Sequence, residues 1–224
     1  MSIYLDAVRV EPPKTAEAAV IWFHGLGADG SDFVPMVPEL NLPADHGVRF
    51  IFPNAPIRPV TLNQGMQMRA WFDIQGLKVE DKQDSKGIQE SVQLAAQFIN
   101  EQKTTGIPYE KIIVAGFSQG GAIALHIGLS FEHKLGGIIG LSTYLPLADA
   151  LFDNKTTINK QIPIFMAHGT LDPLVPMWLG ESSKNLLEEH NYPVAWHTYP
   201  MMHSVCENEI DDIGKWMRKV LFEE

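Results

Sequence analysis

A single cysteine, Cys206, leaves the 224-residue chain without an intrachain disulfide. Burial rather than covalent bridging must hold the fold together, and this thiol usage fits a reducing compartment. An excess of positive charge is also missing. Against 27 Asp and Glu stand 17 Lys and Arg, a net charge of -10, which disfavours nucleic acid or an anionic membrane as an electrostatic partner. No apolar run approaches the roughly 20 residues of a membrane-spanning helix. The opening MSIYLDAVRVEPPK mixes acidic and basic residues without an apolar stretch. No signal peptide is therefore expected, and a cytoplasmic protein is. The eight histidines are dispersed, there is no H-E-x-x-H and no P-loop, so neither a metal nor a cofactor is expected.

What is present is an ordinary globular composition, 45% hydrophobic, with no repeat, low-complexity tract or dividing linker. One domain over residues 1–224 is the expectation. Apolar runs at 18–23, 48–52, 111–115, 137–141, 162–167 and 194–199 read as strands, several apolar on both faces as buried parallel strands are. Between them lie helical stripes: Ile88, Val92, Ala95, Ala96 and Ile99; a segment at 176–190 started by Pro176; and Ile210, Ile213, Met217, Val220 and Leu221. The alternation predicts an α/β fold with a mostly parallel central sheet and helices on both faces. Residues 54–86 read as a long loop without clear periodicity, carrying apolar residues from Met66 to Phe72.

The most informative stretch is 111–121, KIIVAGFSQGG. An apolar strand runs into Gly116-Phe117-Ser118-Gln119-Gly120, and a small apolar helix-like segment follows. This is G-x-S-x-G in a strand, turn, helix context. Such a turn holds Ser118 in a strained conformation with its hydroxyl raised above the sheet edge. Only glycine fits at 116 and 120 in so tight a turn. A serine hydroxyl is a poor nucleophile alone; it needs a base, an acid to orient the base, and donors for an oxyanion.

With such an elbow, the acid and then the histidine follow the serine along the chain. Asp172 lies in the loop after the 162–167 strand and His203 in the loop after the 194–199 strand, so both fall at carboxyl ends of strands, where ligands bind in open sheets. His197 lies inside its strand and should face one side of the sheet. His168 precedes the acid and reads as a buttress of its loop. Asp149 and Asp153 read as solvated loop or helix-start residues, and His126 and His133 as packing or surface residues.

Gly25-Leu26-Gly27-Ala28-Asp29-Gly30 matches the dinucleotide fingerprint G-x-G-x-x-G. Pro35 and Pro38 fall where its helix should open, however, and Pro53-Asn54 offers no carboxylate for a ribose. The loop is better read as half of an oxyanion hole. The backbone N–H groups of Leu26 and Gln119 are the expected donors, and His24 is expected to hold the loop by a hydrogen bond. Met66, Met68, Trp71, Leu174 and Val175, apolar residues in loops near the strand ends, are the candidate substrate-binding residues. Core-plugging roles remain open for Met66 and Met68.

His24-Gly25-Leu26-Gly27-Ala28, Asn54-Ala55-Pro56, Arg58-Pro59-Val60-Thr61, Trp71-Phe72-Asp73, Gly116-Phe117-Ser118-Gln119-Gly120-Gly121 and His168-Gly169-Thr170-x-Asp172-Pro173 resemble one branch of the α/β-hydrolases. It is the branch of carboxylesterases, lysophospholipases and acyl-protein thioesterases. The resemblance implies hydrolysis of carboxylic esters or thioesters by Ser118, Asp172 and His203, with the Met66-to-Phe72 loop bordering an acyl channel. It implies small acyl esters or thioesters, acylated proteins or lysophospholipids as partners, with no nucleic acid. Some relatives form homodimers and some act at membranes; here peripheral membrane contact would run through residues 66–72. The alternative, a hydrolase-fold module that binds lipid or acylated partners without turnover, is disfavoured by the intact set of catalytic side chains.

Overall fold

The computed structural model describes residues 5–76, 83–153 and 158–222; part of the 54–86 segment read above as a loop therefore lies outside the described residues. Seven strands form one sheet in the order β1-β3-β2-β6-β7-β8-β9. They are β1 (Ala7–Val10), β2 (Ala18–Phe23), β3 (Val48–Pro53), β6 (Ile112–Phe117), β7 (Gly137–Leu141), β8 (Ile164–Gly169) and β9 (Val194–Tyr199). All neighbours are parallel except the β1–β3 pair. The antiparallel edge strand β1 carries only four residues and had no counterpart in the sequence reading. Strand β8 starts two residues later than expected, at Ile164, and extends through His168 and Gly169.

Alternation along the strands splits the core in two. Ala19, Ile21 and Phe23 of β2, with Ile112 and Val114 of β6, pack against α1 (Ser85–Thr104) and α2 (Gln119–Ser130). Val20 and Trp22, with Ile113 and Ala115, pack on the other face against a 3-10 helix (Val34–Leu40) and α5 (Glu207–Phe222). Each fully buried large apolar side chain contributes roughly 1.5–3 kcal/mol, so a sheet covered on both faces is the stable arrangement for strands this apolar. The helical stripes hold: Ile88, Ala95 and Ile99 of α1, and Ile213, Met217 and Leu221 of α5, are buried. A short helix α3 (Ala148–Asp153) follows β7, and α4 (Met177–Glu189) begins directly after Pro176.

Within 54–86, the described residues 54–76 and 83–86 carry more regular structure than expected. β4 (Ile57–Val60) and β5 (Met66–Arg69) form an antiparallel ribbon, Ile57 opposite Arg69 and Val60 opposite Met66. The Asp73 carboxylate accepts both the backbone N–H and the hydroxyl of Thr61, each at 2.7 Å, and Asp84 caps α1 through the Gly87 N–H at 2.9 Å. Strand β2 lies between β3 and β6, so the sheet order reverses there. The crevice that forms at such a reversal falls between the loop after β2 and the turn after β6.

Candidate active site

Ser118 links β6 to α2 with φ 53° and ψ −120°, a region L-residues rarely occupy and one found at functional turns. Three hydrogen bonds hold it there. Its N–H donates to Leu141 O at 2.8 Å, and its carbonyl accepts the Ala122 N–H at 3.2 Å and the Thr143 hydroxyl at 2.7 Å. The glycines are sterically dictated. A Cβ on Gly116 would lie 2.3 Å from the Gly120 backbone, and one on Gly120 would lie 2.1 Å from Phe23 O.

Asp172 follows β8, its side chain wholly shielded from solvent. Oδ1 accepts the N–H groups of Leu174 and Val175, both at 2.9 Å. Oδ2 meets Nδ1 of His203 at 2.6 Å. The His203 ring in turn packs 4.7 Å, centroid to centroid, from Phe117, the residue before Ser118. His168 is buried at the end of β8, in the strand rather than the loop. Its Nε2 donates to Val175 O at 2.8 Å and stands 3.5 Å from Asp172 Oδ2. Burial pushes its pKa down, although Val175 and Asp172 pull the other way, so it buttresses the acid as a neutral group. His197 stacks on Phe165 at 4.8 Å and approaches Asp212 of α5 at 3.8 Å, on the opposite face. Asp149 and Asp153 lie on α3. His126 bonds Pro146 O and His133 stacks on Tyr109.

The loop after β2 is pinned from both sides. Buried His24 donates from Nδ1 to Gly25 O at 2.7 Å and accepts the Ala55 N–H on Nε2 at 3.0 Å. Burial lowers its pKa, so it remains neutral and structural. Gly27, at φ +78°, donates to Arg69 O, and Ala28 donates to Gly25 O. The Leu26 N–H makes no hydrogen bond to a described backbone carbonyl. The Gln119 N–H is the first of α2 and has no carbonyl one turn earlier in the helix to accept it. Gly30, the last glycine of the apparent dinucleotide fingerprint, approaches Phe52 O so closely that a Cβ would lie 2.3 Å away. It packs the loop onto β3.

A model of the Phospholipase/Carboxylesterase family matches residues 5–221. The chain belongs to this family. It is 39% identical to acyl-protein thioesterase 1 of Yarrowia lipolytica over 218 residues, covering 95% of this chain and 96% of that one. It is 40% identical to acyl-protein thioesterase 1 of Gibberella zeae, covering 91% of each. Among solved structures, acyl-protein thioesterase 2 of Zea mays superposes with TM-score 0.86 at 30% identity, covering 97% of this chain and 100% of that one. The protein is accordingly an enzyme of the carboxylesterase and thioesterase class.

Within this esterase frame the candidate substrate residues divide. Trp71, expected at a channel wall, has no solvent-accessible surface. Its Nε1 donates to His24 O at 2.9 Å, and its ring packs edge-on to Phe23 at 5.2 Å. It stands behind the wall, because a large ring with one donor is best satisfied where that donor finds a buried carbonyl. Met66 is exposed on the ribbon, whereas the Met68 sulfur lies beside Gly27. Leu174 and Val175 line a groove of about 290 Å³ with Phe72, Tyr144, Leu145 and Trp178. Sequence reasoning missed what the Gln119 side chain does. Its side-chain oxygen accepts the Trp71 N–H at 2.8 Å and its amide donates to Phe72 O at 2.7 Å, which locks the Trp71-Phe72 segment to the elbow. Among the described residues no group of three His, Cys, Asp or Glu is arranged to hold a metal ion, and no helix is long and apolar enough to cross a membrane.

Proposed function

We propose that Ser118, His203 and Asp172 form the catalytic triad, with the Leu26 and Gln119 N–H groups as the oxyanion hole. The observation that carries the reading is the 2.6 Å contact between His203 Nδ1 and a desolvated, doubly anchored Asp172, beside a serine held at φ 53°. Ser118 Oγ attacks the acyl carbon while His203 Nε2 takes its proton. The carbonyl oxygen becomes an oxyanion held by the two N–H groups, each worth on the order of 3 kcal/mol of barrier. Collapse expels the alkoxide or thiolate, which takes the proton from His203 and leaves an acyl-Ser118 ester. Water then attacks with His203 again as base, releasing the acid and free serine.

The groove bounded by Leu174, Val175, Leu145 and Trp178 is assigned to the acyl chain. Relatives named as acyl-protein thioesterases support an acylated protein as substrate; we read the enzyme as single-domain and cytoplasmic. Of residues 66–72, expected to touch lipid, Trp71 and Phe72 are buried; the exposed Met66, with Ile57 and Leu62 beside it on the β4–β5 ribbon, favours peripheral contact with lipid through the ribbon instead. The test is hydrolysis of p-nitrophenyl esters of increasing chain length by wild type and Ser118→Ala, with fluorophosphonate labelling alongside. Labelling at Ser118 and loss of turnover in the variant are expected. Turnover by folded Ser118→Ala would overturn the assignment.

A further inference from the structure

The chain reverses sharply after β7. Ser142 takes φ 45°, its N–H donates to Ala167 O at 2.8 Å, and the turn carries Thr143 back over the nucleophile elbow. Thr143 is buried. Its Cβ and methyl press on the backbone at Gly121, where an added Cβ would lie within 2.8 Å of both. Its hydroxyl has one proton and two carbonyls in range, Ser118 O at 2.7 Å and Tyr144 O at 3.4 Å. The shorter contact takes the proton.

That acceptor is not an arbitrary carbonyl. Ser118 C=O and Gln119 N–H are the two ends of one peptide unit. The unit is planar and trans, so its oxygen and hydrogen point in opposite directions. A donor fixed behind the oxygen therefore fixes where the hydrogen aims. It also polarises the amide, which strengthens the N–H as a donor. The Ala122 N–H bonds the same oxygen more weakly, at 3.2 Å, as the first helical bond of α2, and would remain without the threonine.

We propose that Thr143 is a positioning residue for the reaction: its hydroxyl anchors and polarises the Ser118–Gln119 peptide, so that the Gln119 N–H is aimed at the developing oxyanion. The proposal rests on the oxyanion-hole assignment above. A threonine that merely filled space would be replaced without kinetic effect by valine, which has nearly the same shape. A threonine acting through its hydroxyl would be replaced by serine and not by valine.

The experiment compares Thr143→Val and Thr143→Ser with wild type in kcat and KM for p-nitrophenyl butyrate. It adds the inhibition constant of an alkyl trifluoromethyl ketone, which forms a hemiketal oxyanion on the nucleophilic serine. Circular dichroism and thermal melting report folding. For Thr143→Val the expected result is a kcat roughly tenfold lower, a KM within twofold, and ketone affinity weakened by the same factor as kcat. Thr143→Ser should return both to within about twofold of wild type. Should Thr143→Val not fold, Thr143→Ala takes its place against Thr143→Ser. The proposal is overturned if the folded variant lacking the hydroxyl keeps wild-type kcat, if its kcat falls without a matching loss of ketone affinity, or if serine is as impaired as valine. Failure of the Ser118 site that both assignments require looks different: wild type would then form no tight adduct with the ketone.

Discussion

Replacing Asp172 by asparagine tests the triad more sharply than removing the side chain, because the structure dictates which way the new amide must turn. Oδ1 accepts two backbone N–H groups at 2.9 Å, from Leu174 and Val175, and Oδ2 makes its short contact with His203 Nδ1 at 2.6 Å. An asparagine that keeps its oxygen toward the loop saves both backbone bonds and presents NH2 to His203. One that turns over offers oxygen to His203 and aims NH2 at two backbone donors, that of Val175 buried and that of Leu174 partly buried. Each of those two N–H groups would then lie unsatisfied, at about 1–3 kcal/mol apiece, against one hydrogen bond recovered at about 1 kcal/mol. His168 Nε2, 3.5 Å from Oδ2, pulls toward the flipped form, but a contact that long does not offset the loop.

The amide NH2 therefore donates to Nδ1 of His203, which must become an acceptor and carry its proton on Nε2. That tautomer cannot take the proton from Ser118. The same substitution in a serine protease triad lowers kcat by about 10⁴, and the geometry here predicts a similar loss, about 5 kcal/mol of barrier. Steady-state hydrolysis of p-nitrophenyl butyrate reads the loss, and ¹⁵N resonances of His203 read the tautomer. A folded Asp172→Asn enzyme that kept a tenth of wild-type kcat, or that carried its imidazole proton on Nδ1, would refute the reasoning.

Trp71→Phe deletes the donor to His24 O and opens a cavity at a site with no exposed surface. A loss of about 2–4 kcal/mol in urea titration is expected, with a fall in kcat as the loop carrying Leu26 loosens; unchanged stability would show that the indole does not brace it. The Glu209 carboxyl is held up to about 8 by burial, only partly offset by the Cys206 backbone, from an ordinary 4.5. The folded state keeps that proton while the unfolded chain loses it, so its contribution is complete below pH 4.5 and is lost as pH rises to about 8. Glu209→Gln should flatten the decline in melting temperature between pH 5 and 8. The neutral buried His24, His126 and His168 tilt both proteins equally, so the difference isolates Glu209, and identical slopes would exclude it as the source.

The parts of this site that could be read from sequence are those whose chemistry is local. G-x-S-x-G needs glycine at 116 and 120 for reasons contained within five residues, and the structure shows the clashes that any Cβ would meet. The meeting of Asp172 with His203 was legible because parallel strands end on one side of a sheet, so successive strand-end loops converge. Roles set by distant partners were not legible. Trp71 and Leu174 are both apolar residues in loops, yet one ends wholly buried and the other half-exposed on the groove. What separates them is a carbonyl 47 residues away that satisfies the indole, and no local pattern announces it. The ribbon was hidden for a related reason. Its strands have four residues each, and Pro59 in β4 reads against a strand unless the strand lies at an edge. Gln119 and Thr143 show the same limit within the elbow itself. A motif can name the residue expected to react, but the hydrogen bonds that hold its surroundings come from residues 71 and 72, on the Gln119 side chain, and from residue 143, on the Ser118 carbonyl, and only the folded chain brings them there.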